Sequence, residues 1–285
     1  MTQDVHPTFG VRVVEVGQVR VRPDNVAATW RPMLWWTLTS RRWTAWLPVN
    51  VVVIEHPSGT VLFDTGQDPA SVEDPSYYPG GLLGWIYRRQ AQFRFPDGGG
   101  LAEALRAVGV EPHKVSIVAL SHLHQDHAGN LAEVSHARVL ADPRELALLD
   151  ARSPETHGLL RTHLDVPGLA LTPVDYAPLG DDGLAPFAEA HDLHGDGSLL
   201  LLPTPGHSAG SMSMLVRRAD SPPLLLVGDV TYDPEVLATG RVPGTGATAV
   251  QRRTTARINA LRARLPELVV VASHDPAASS RVECR

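Results

Sequence analysis

The chain reads as an α/β sandwich of two β-sheets, and three observations carry that reading. Strand-like runs fall into two groups, residues 11–141 and residues 199–271, and each group is accompanied by segments of helical spacing. At 285 residues and 30.8 kDa the chain can bury a large core within one domain, expected over residues 1–285. No strict repeat or low-complexity tract is visible, and a TIM barrel is the disfavoured alternative.

Taken in order, residues 11–21 alternate apolar and polar side chains, the period of a half-buried strand. Residues 49–55 and 60–64 are strand-like runs separated by His56-Pro57-Ser58-Gly59, so the pair reads as a hairpin. Gly98 to Gly100 break the chain before residues 101–108, whose helical spacing ends at Gly109. Residues 115–120 (VSIVAL) are short, apolar and β-branched, which predicts a buried strand. A short strand over 138–141 leads into a helix with Asp142 as N-cap and Glu145 three residues on, the spacing of a capping box. Residues 153–186 are rich in Pro, Gly and His and lack periodicity, as long loops that cover an active site often do. Residues 199–202, 211–216 and 224–227 read as buried strands. A helix over 249–265 and a last strand over 268–271 complete the order.

Composition excludes several classes. Hydrophobic content of 43% with 20% charged residues is ordinary for a globular protein. There is no apolar run of about 18 residues, so no spanning helix and no membrane partner are expected. The N-terminus lacks the basic and apolar regions of a secretory signal, and Cys284 is the only cysteine, which together predict a cytoplasmic protein without internal disulfides. A formal charge of −6 disfavours nucleic acid as a partner, because phosphate binding needs a concentrated positive field. Arg252, Arg253, Arg257, Arg262 and Arg264 fall in one helical stretch and are expected to be a solvated face.

The stretch Ser121-His122-Leu123-His124-Gln125-Asp126-His127 packs three histidines and a carboxylate into six positions behind a predicted strand. Neutral imidazoles with a carboxylate at such spacing suit one or two divalent metals. Alternation aims His122 and His124 one way, while Asp126 and His127 turn toward a second point. Three more predicted strands end in a small residue followed by a ligand type: Pro205-Gly206-His207, Gly228-Asp229 and Ala272-Ser273-His274. Strand ends can hold side chains to the tolerance that metal chemistry needs. With thiolate excluded, nitrogen and oxygen donors remain.

These four motifs, HxHxDH at 122–127, PGH at 205–207, GD at 228–229 and SHD at 273–275, resemble in content and order those of the metallo-β-lactamase superfamily. The resemblance implies an αββα sandwich of two mixed β-sheets flanked by helices, with a binuclear centre in the cleft between the sheets. It assigns His122, His124 and His207 to one metal, Asp126, His127 and His274 to the other, and Asp229 as a bridge. Asp64, in Phe63-Asp64-Thr65-Gly66, would be the carboxylate that fixes the ligand loop from behind. The two ions are expected to be zinc, with iron, manganese and cobalt also suited to the donors.

Within the superfamily, an aspartate at 229 disfavours antibiotic hydrolysis, since many true β-lactamases have cysteine there or no bridging carboxylate. Only residues 275–285 follow His274, which leaves no room for the helical domain with which glyoxalase II enzymes hold glutathione. Tyr232, three residues after Asp229, looks like the tyrosine that faces the substrate carbonyl in bacterial N-acyl homoserine lactonases, the quorum-quenching branch. Residues 48–66 and 204–210 extend that likeness. It implies opening of hydrophobic lactones by a hydroxide shared between two metals, Tyr232 drawing charge from the carbonyl oxygen and Asp126 delivering a proton to the leaving alkoxide. The alternative is a phosphotriester, phosphodiester, carboxyl ester or thioester hydrolase using the same site. The full ligand set argues against a redox branch or a non-catalytic scaffold.

Five of the six tryptophans lie between Trp30 and Trp46. Trp30, Trp35 and Trp36 are candidates for an apolar wall against an acyl chain. Packing of a long β-hairpin, or a homodimer interface, is the competing account. His157 and His163 are secondary candidates for substrate contact. His191, Asp192, His194 and Asp196 form a second apparent metal cluster, better read as a tight turn before the strand at 199.

Overall fold

A run such as Leu199-Leu200-Leu201-Leu202 has no polar face to give to water, so both of its faces must be covered. The computed structural model, which describes residues 6–95, 99–180, 182–219 and 221–283, covers both. One sheet contains β1 (Gly10–Val21), β2 (Leu47–His56), β3 (Gly59–Phe63), β4 (Ala91–Arg94), β5 (Val115–Ala119), β6 (Arg138–Ala141) and β7 (Leu171–Pro173) in the order β4-β1-β2-β3-β5-β6-β7. The other contains β8 (Ala177–Pro178), β9 (Glu189–Asp192), β10 (Leu199–Pro203), β11 (Met212–Arg218), β12 (Ser221–Leu226) and β13 (Val269–Val271) in the order β13-β12-β11-β10-β9-β8. Both are mixed: β1 to β3 pair antiparallel while β3, β5, β6 and β7 run parallel, and β13 joins an otherwise antiparallel sheet in parallel.

Side-chain alternation sorts the core into three layers. Val52, Ile54, Val61 and Phe63 of the first sheet meet Leu199, Leu201, Met212 and Met214 of the second. The intervening residues Val51 and Val53 face outward onto Leu101 and Leu105 of the helix Leu101–Ala107. Leu200, Leu202 and Leu215 face outward onto Ile258 and Leu261 of the helix Thr248–Arg264. Helix, sheet, sheet, helix is thus the order of layers, the αββα sandwich expected. None of the described helices is long and apolar enough to cross a membrane.

Several local expectations change. The helix Pro143–Leu149 is capped by Asp142, whose carboxylate accepts from the Arg144 N–H, but Glu145 does not close a capping box. Its carboxylate instead reaches the backbone of two distant loops. The segment 153–186 is not structureless: it carries β7 and β8, whose three and two residues are too few to show a period. The tryptophan-rich stretch is not a hairpin but contains a helix, Met33–Thr39. Asp192 accepts from the N–H groups of Gly195 and Gly197, so the second histidine cluster is a tight turn, with His194 stacked on His56 at 4.2 Å. Of the cationic helix, Arg252, Arg253 and Arg264 are exposed, whereas Arg257 lies over the Phe187 ring. Gly98 and Cys284 lie outside the described residues.

Candidate metal centre

Four strand ends deliver the ligand-type side chains. β5 runs into Leu120-Ser121-His122, β10 into Thr204 to His207, β12 into the turn Gly228–Val230, and β13 into Ala272-Ser273-His274. Gly228 has φ +55°, and a Cβ there would lie 2.7 Å from the Ser121 Cβ. Only glycine lets the Asp229 turn close on the histidine loop. After Ser121 the loop enters a one-turn helix, Gln125–Ala128, which directs Asp126 and His127 away from His122 and His124.

The side chains converge as two groups joined by one carboxylate. His122 Nε2 and His207 Nε2 lie 2.9 and 3.0 Å from His124 Nδ1. His274 Nε2 lies 3.4 Å from Asp126 Oδ2, and the His127 and His274 Nε2 atoms each lie 3.4 Å from Asp229 Oδ1. The other oxygen of Asp229 is 3.5 Å from His207 Nε2. Asp229 therefore touches both groups.

The outward nitrogen of each histidine is engaged. His127 Nδ1–H donates to Asp64 Oδ2 at 2.8 Å, and His274 Nδ1–H to the Pro48 carbonyl at 2.8 Å. His124 Nε2–H donates to the His157 carbonyl at 3.2 Å, and His207 Nδ1 faces Thr245 Oγ1 at 3.2 Å. Ser121 gives its proton to Asp64, so its oxygen accepts from His122 Nδ1–H at 3.0 Å. Five inward nitrogens are thereby left as lone-pair donors. His127 Nε2, His274 Nε2 and Asp229 Oδ1 are buried without a hydrogen-bond partner. Orphaned buried lone pairs facing one another are costly unless a cation gathers them. The donor set of five imidazoles and two carboxylates fits two divalent cations.

Electrostatics separates the groups. Burial, reinforced by the neighbouring histidines, holds His122 well below the usual imidazole range and His207 down to about 3. Burial also opposes charge on His127 and His274, yet the carboxylates facing them raise both. Burial likewise opposes ionisation of Asp126 and Asp229, and the facing imidazoles nonetheless hold both below the usual carboxylate range.

A profile of the Metallo-beta-lactamase superfamily matches residues 44–274, which include every residue of this cluster. The chain belongs to the metallo-beta-lactamase superfamily. Relatives named N-acyl homoserine lactonase AttM, from Azorhizobium caulinodans and Agrobacterium fabrum, are each 31% identical to it, with 81% of this chain and 82% of theirs aligned. A solved structure described as an N-acyl homoserine lactone hydrolase, with the product N-hexanoyl-L-homoserine bound at its catalytic metal center, superposes with a TM-score of 0.75. That match spans 99% of this chain and 98% of the other at 20% identity, a likeness of fold.

In this member of the metallo-beta-lactamase superfamily, Tyr232 is buried against the centre: its ring stacks on His274 at 5.1 Å, and burial together with the nearby Asp229 carboxylate raises its phenol well above the usual range. Asp126 stands at the edge, with a side chain 16% exposed where that of Asp229 is 3%. Trp36 corrects the sequence expectation. At 1% exposure it offers no surface to a ligand and packs inside, while Trp30 and Trp35 are 87% and 58% exposed. His163 donates to the Tyr77 carbonyl and stacks on Tyr77, and His157 contributes only its carbonyl, which Gly158 at φ +88° brings against His124. Ser121, Thr245 and the Pro48 and His157 carbonyls escape sequence reasoning. Backbone carbonyls carry no residue-type signal at all.

Asp64 occupies a left-handed conformation at φ +67° and accepts from Ser121 N–H at 2.6 Å, Ser121 Oγ–H at 2.9 Å and His127. Asparagine tolerates that backbone but turns one acceptor into a donor. Asp64→Asn is therefore expected to weaken metal binding by about 10–100-fold, read by competition against a chromogenic chelator. Unchanged affinity would show that His127 needs no support from behind.

Proposed function

We propose that the chain is a metal-dependent lactonase that opens the ring of N-acyl homoserine lactones. The observation that carries the reading is Tyr232, a buried phenol stacked on His274 in the half of the centre that Asp229 joins to the other. The relatives named N-acyl homoserine lactonase, aligned over four-fifths of the chain, support the same substrate class.

His122, His124 and His207 would hold one divalent cation, Asp126, His127 and His274 the other, and Asp229 both; zinc is the first candidate, with iron, manganese and cobalt compatible. Such a pair supplies a nucleophile at neutral pH, by lowering the pKa of water to about 7, and Lewis acidity toward a carbonyl oxygen. The protein's own residues do the rest. Tyr232 donates its hydroxyl proton toward the lactone carbonyl oxygen as charge develops there. Asp126, held ionised and reaching the edge of the centre, accepts the proton released as the nucleophile attacks. It then returns that proton to the ring oxygen, a poor leaving group as a bare alkoxide. For the acyl chain, the exposed Trp30 and Trp35 supply apolar surface.

The test is ring opening of short- and long-chain N-acyl homoserine lactones by the metal-loaded protein, followed as acid release. Opening of these lactones in preference to phosphotriesters, phosphodiesters and thioesters is expected. A protein that hydrolyses one of those esters and opens no lactone has the alternative function.

A further inference from the structure

Glu145 lies on the helix Pro143–Leu149, outside the cluster of ligand-type residues, yet its carboxylate is fully buried. Burying a carboxylate is expensive unless it is hydrogen-bonded. Its partners are two backbone groups far apart in sequence: Oε2 accepts from Leu123 N–H at 3.2 Å and Oε1 from Gly210 N–H at 2.8 Å. Leu123 is the residue between His122 and His124. Gly210 lies three residues after His207. The contact is also close in space, since a Cβ on Gly210 would lie 2.7 Å from the Glu145 nitrogen and 2.8 Å from its Cγ.

From this geometry we infer that Glu145 is a positioning residue for the three-histidine half of the centre, fastening the 122–124 loop to the 207–210 loop. The inference rests on the reading of the cluster as a metal centre. Those two loops supply His122, His124 and His207, whose inward nitrogens meet at His124 Nδ1; the bond from the Met212 N–H to the Ser121 carbonyl at 2.8 Å joins the loops at their base, but it does not hold them at Leu123 and Gly210. One carboxylate bonded to an N–H from each loop does, through charge-assisted hydrogen bonds stronger than neutral ones. The other half is steadied differently, His127 by Asp64 and His274 by the Pro48 carbonyl. Loss of Glu145 should therefore act on one metal and spare the other.

The experiment is Glu145→Gln in the full chain, titrated with cobalt(II) and followed by visible absorption, with cobalt counted after desalting. Glutamine keeps the size but sets an amide N–H against one of the two backbone donors. The expected result is wild type holding two ions and the variant holding one as tightly, the second weakened by about 10–100-fold, with loss of that ion's absorption bands. Gly210→Ala, which pushes the same loop off Glu145, should give the same signature and serves if Glu145→Gln fails to fold. Unchanged affinity for both ions, or an equal fall in both, overturns the inference while leaving the centre intact. A wild type that takes up no cobalt overturns the inference together with the metal reading.

Discussion

Asp229→Ala is expected to lower kcat/KM for lactone opening by at least about 10³-fold, because divalent cations contribute several kcal/mol of transition-state stabilisation and each 1.36 kcal/mol is a factor of ten. Among the described residues Asp229 is the one carboxylate in contact with both groups, within 3.4 Å of His127 and His274 and 3.5 Å of His207. Without it, two dications would face five neutral imidazoles and Asp126 alone, an under-compensated buried charge. Release of at least one ion should therefore accompany the loss of rate. Asp229→Asn, which keeps the volume and removes the charge, should move rate and metal content in the same direction, separating electrostatics from packing. Steady-state kinetics alongside metal analysis of the same preparation decides the matter. Activity within tenfold of wild type and two retained ions would remove Asp229 from its proposed place.

The candidate ligand set was legible because it is written in residue type at short spacing. Six positions from His122 to His127 carry four ligand types, and His207, Asp229 and His274 each follow a strand whose leucines or valines are buried on both faces. The same two-sided burial made β10 and β12 readable as strands, whereas β7 and β8 are too short to display any alternation. What failed was local inference applied where tertiary contacts decide. Glu145 stands at capping-box spacing, but two backbone N–H groups from other loops claim its carboxylate. Trp30, Trp35 and Trp36 were indistinguishable by composition; the helix Met33–Thr39 buries Trp36 and leaves Trp35 exposed, while Trp30 lies exposed ahead of it. The acceptors behind His124 and His274 are main-chain carbonyls, which every residue possesses.

Tyr232→Phe isolates the remaining chemical claim, and a fall in kcat of about 10²-fold with little change in KM is expected. Burial, with Asp229 adding to it, pushes the phenol well above its ordinary value of 10, so the group stays protonated and remains a donor throughout the neutral and mildly alkaline range. The alkaline limb of the pH–rate profile consequently belongs to another group, and wild type and Tyr232→Phe should share its midpoint. Phenylalanine keeps the ring stacked on His274 and fills the same volume, so metal content should remain that of wild type. What disappears is one hydrogen-bond donor. If that donor acts on the carbonyl oxygen only as negative charge accumulates, its loss lowers kcat and kcat/KM together. If it binds the ground-state lactone and the transition state equally, KM rises and kcat does not move. The expected loss sits at the low end of what an oxyanion donor is worth, about 10²–10³-fold, because the cations share the same developing charge. An unchanged kcat at full metal content would leave Tyr232 as a packing residue beside His274, with the developing oxyanion stabilised by the metals alone.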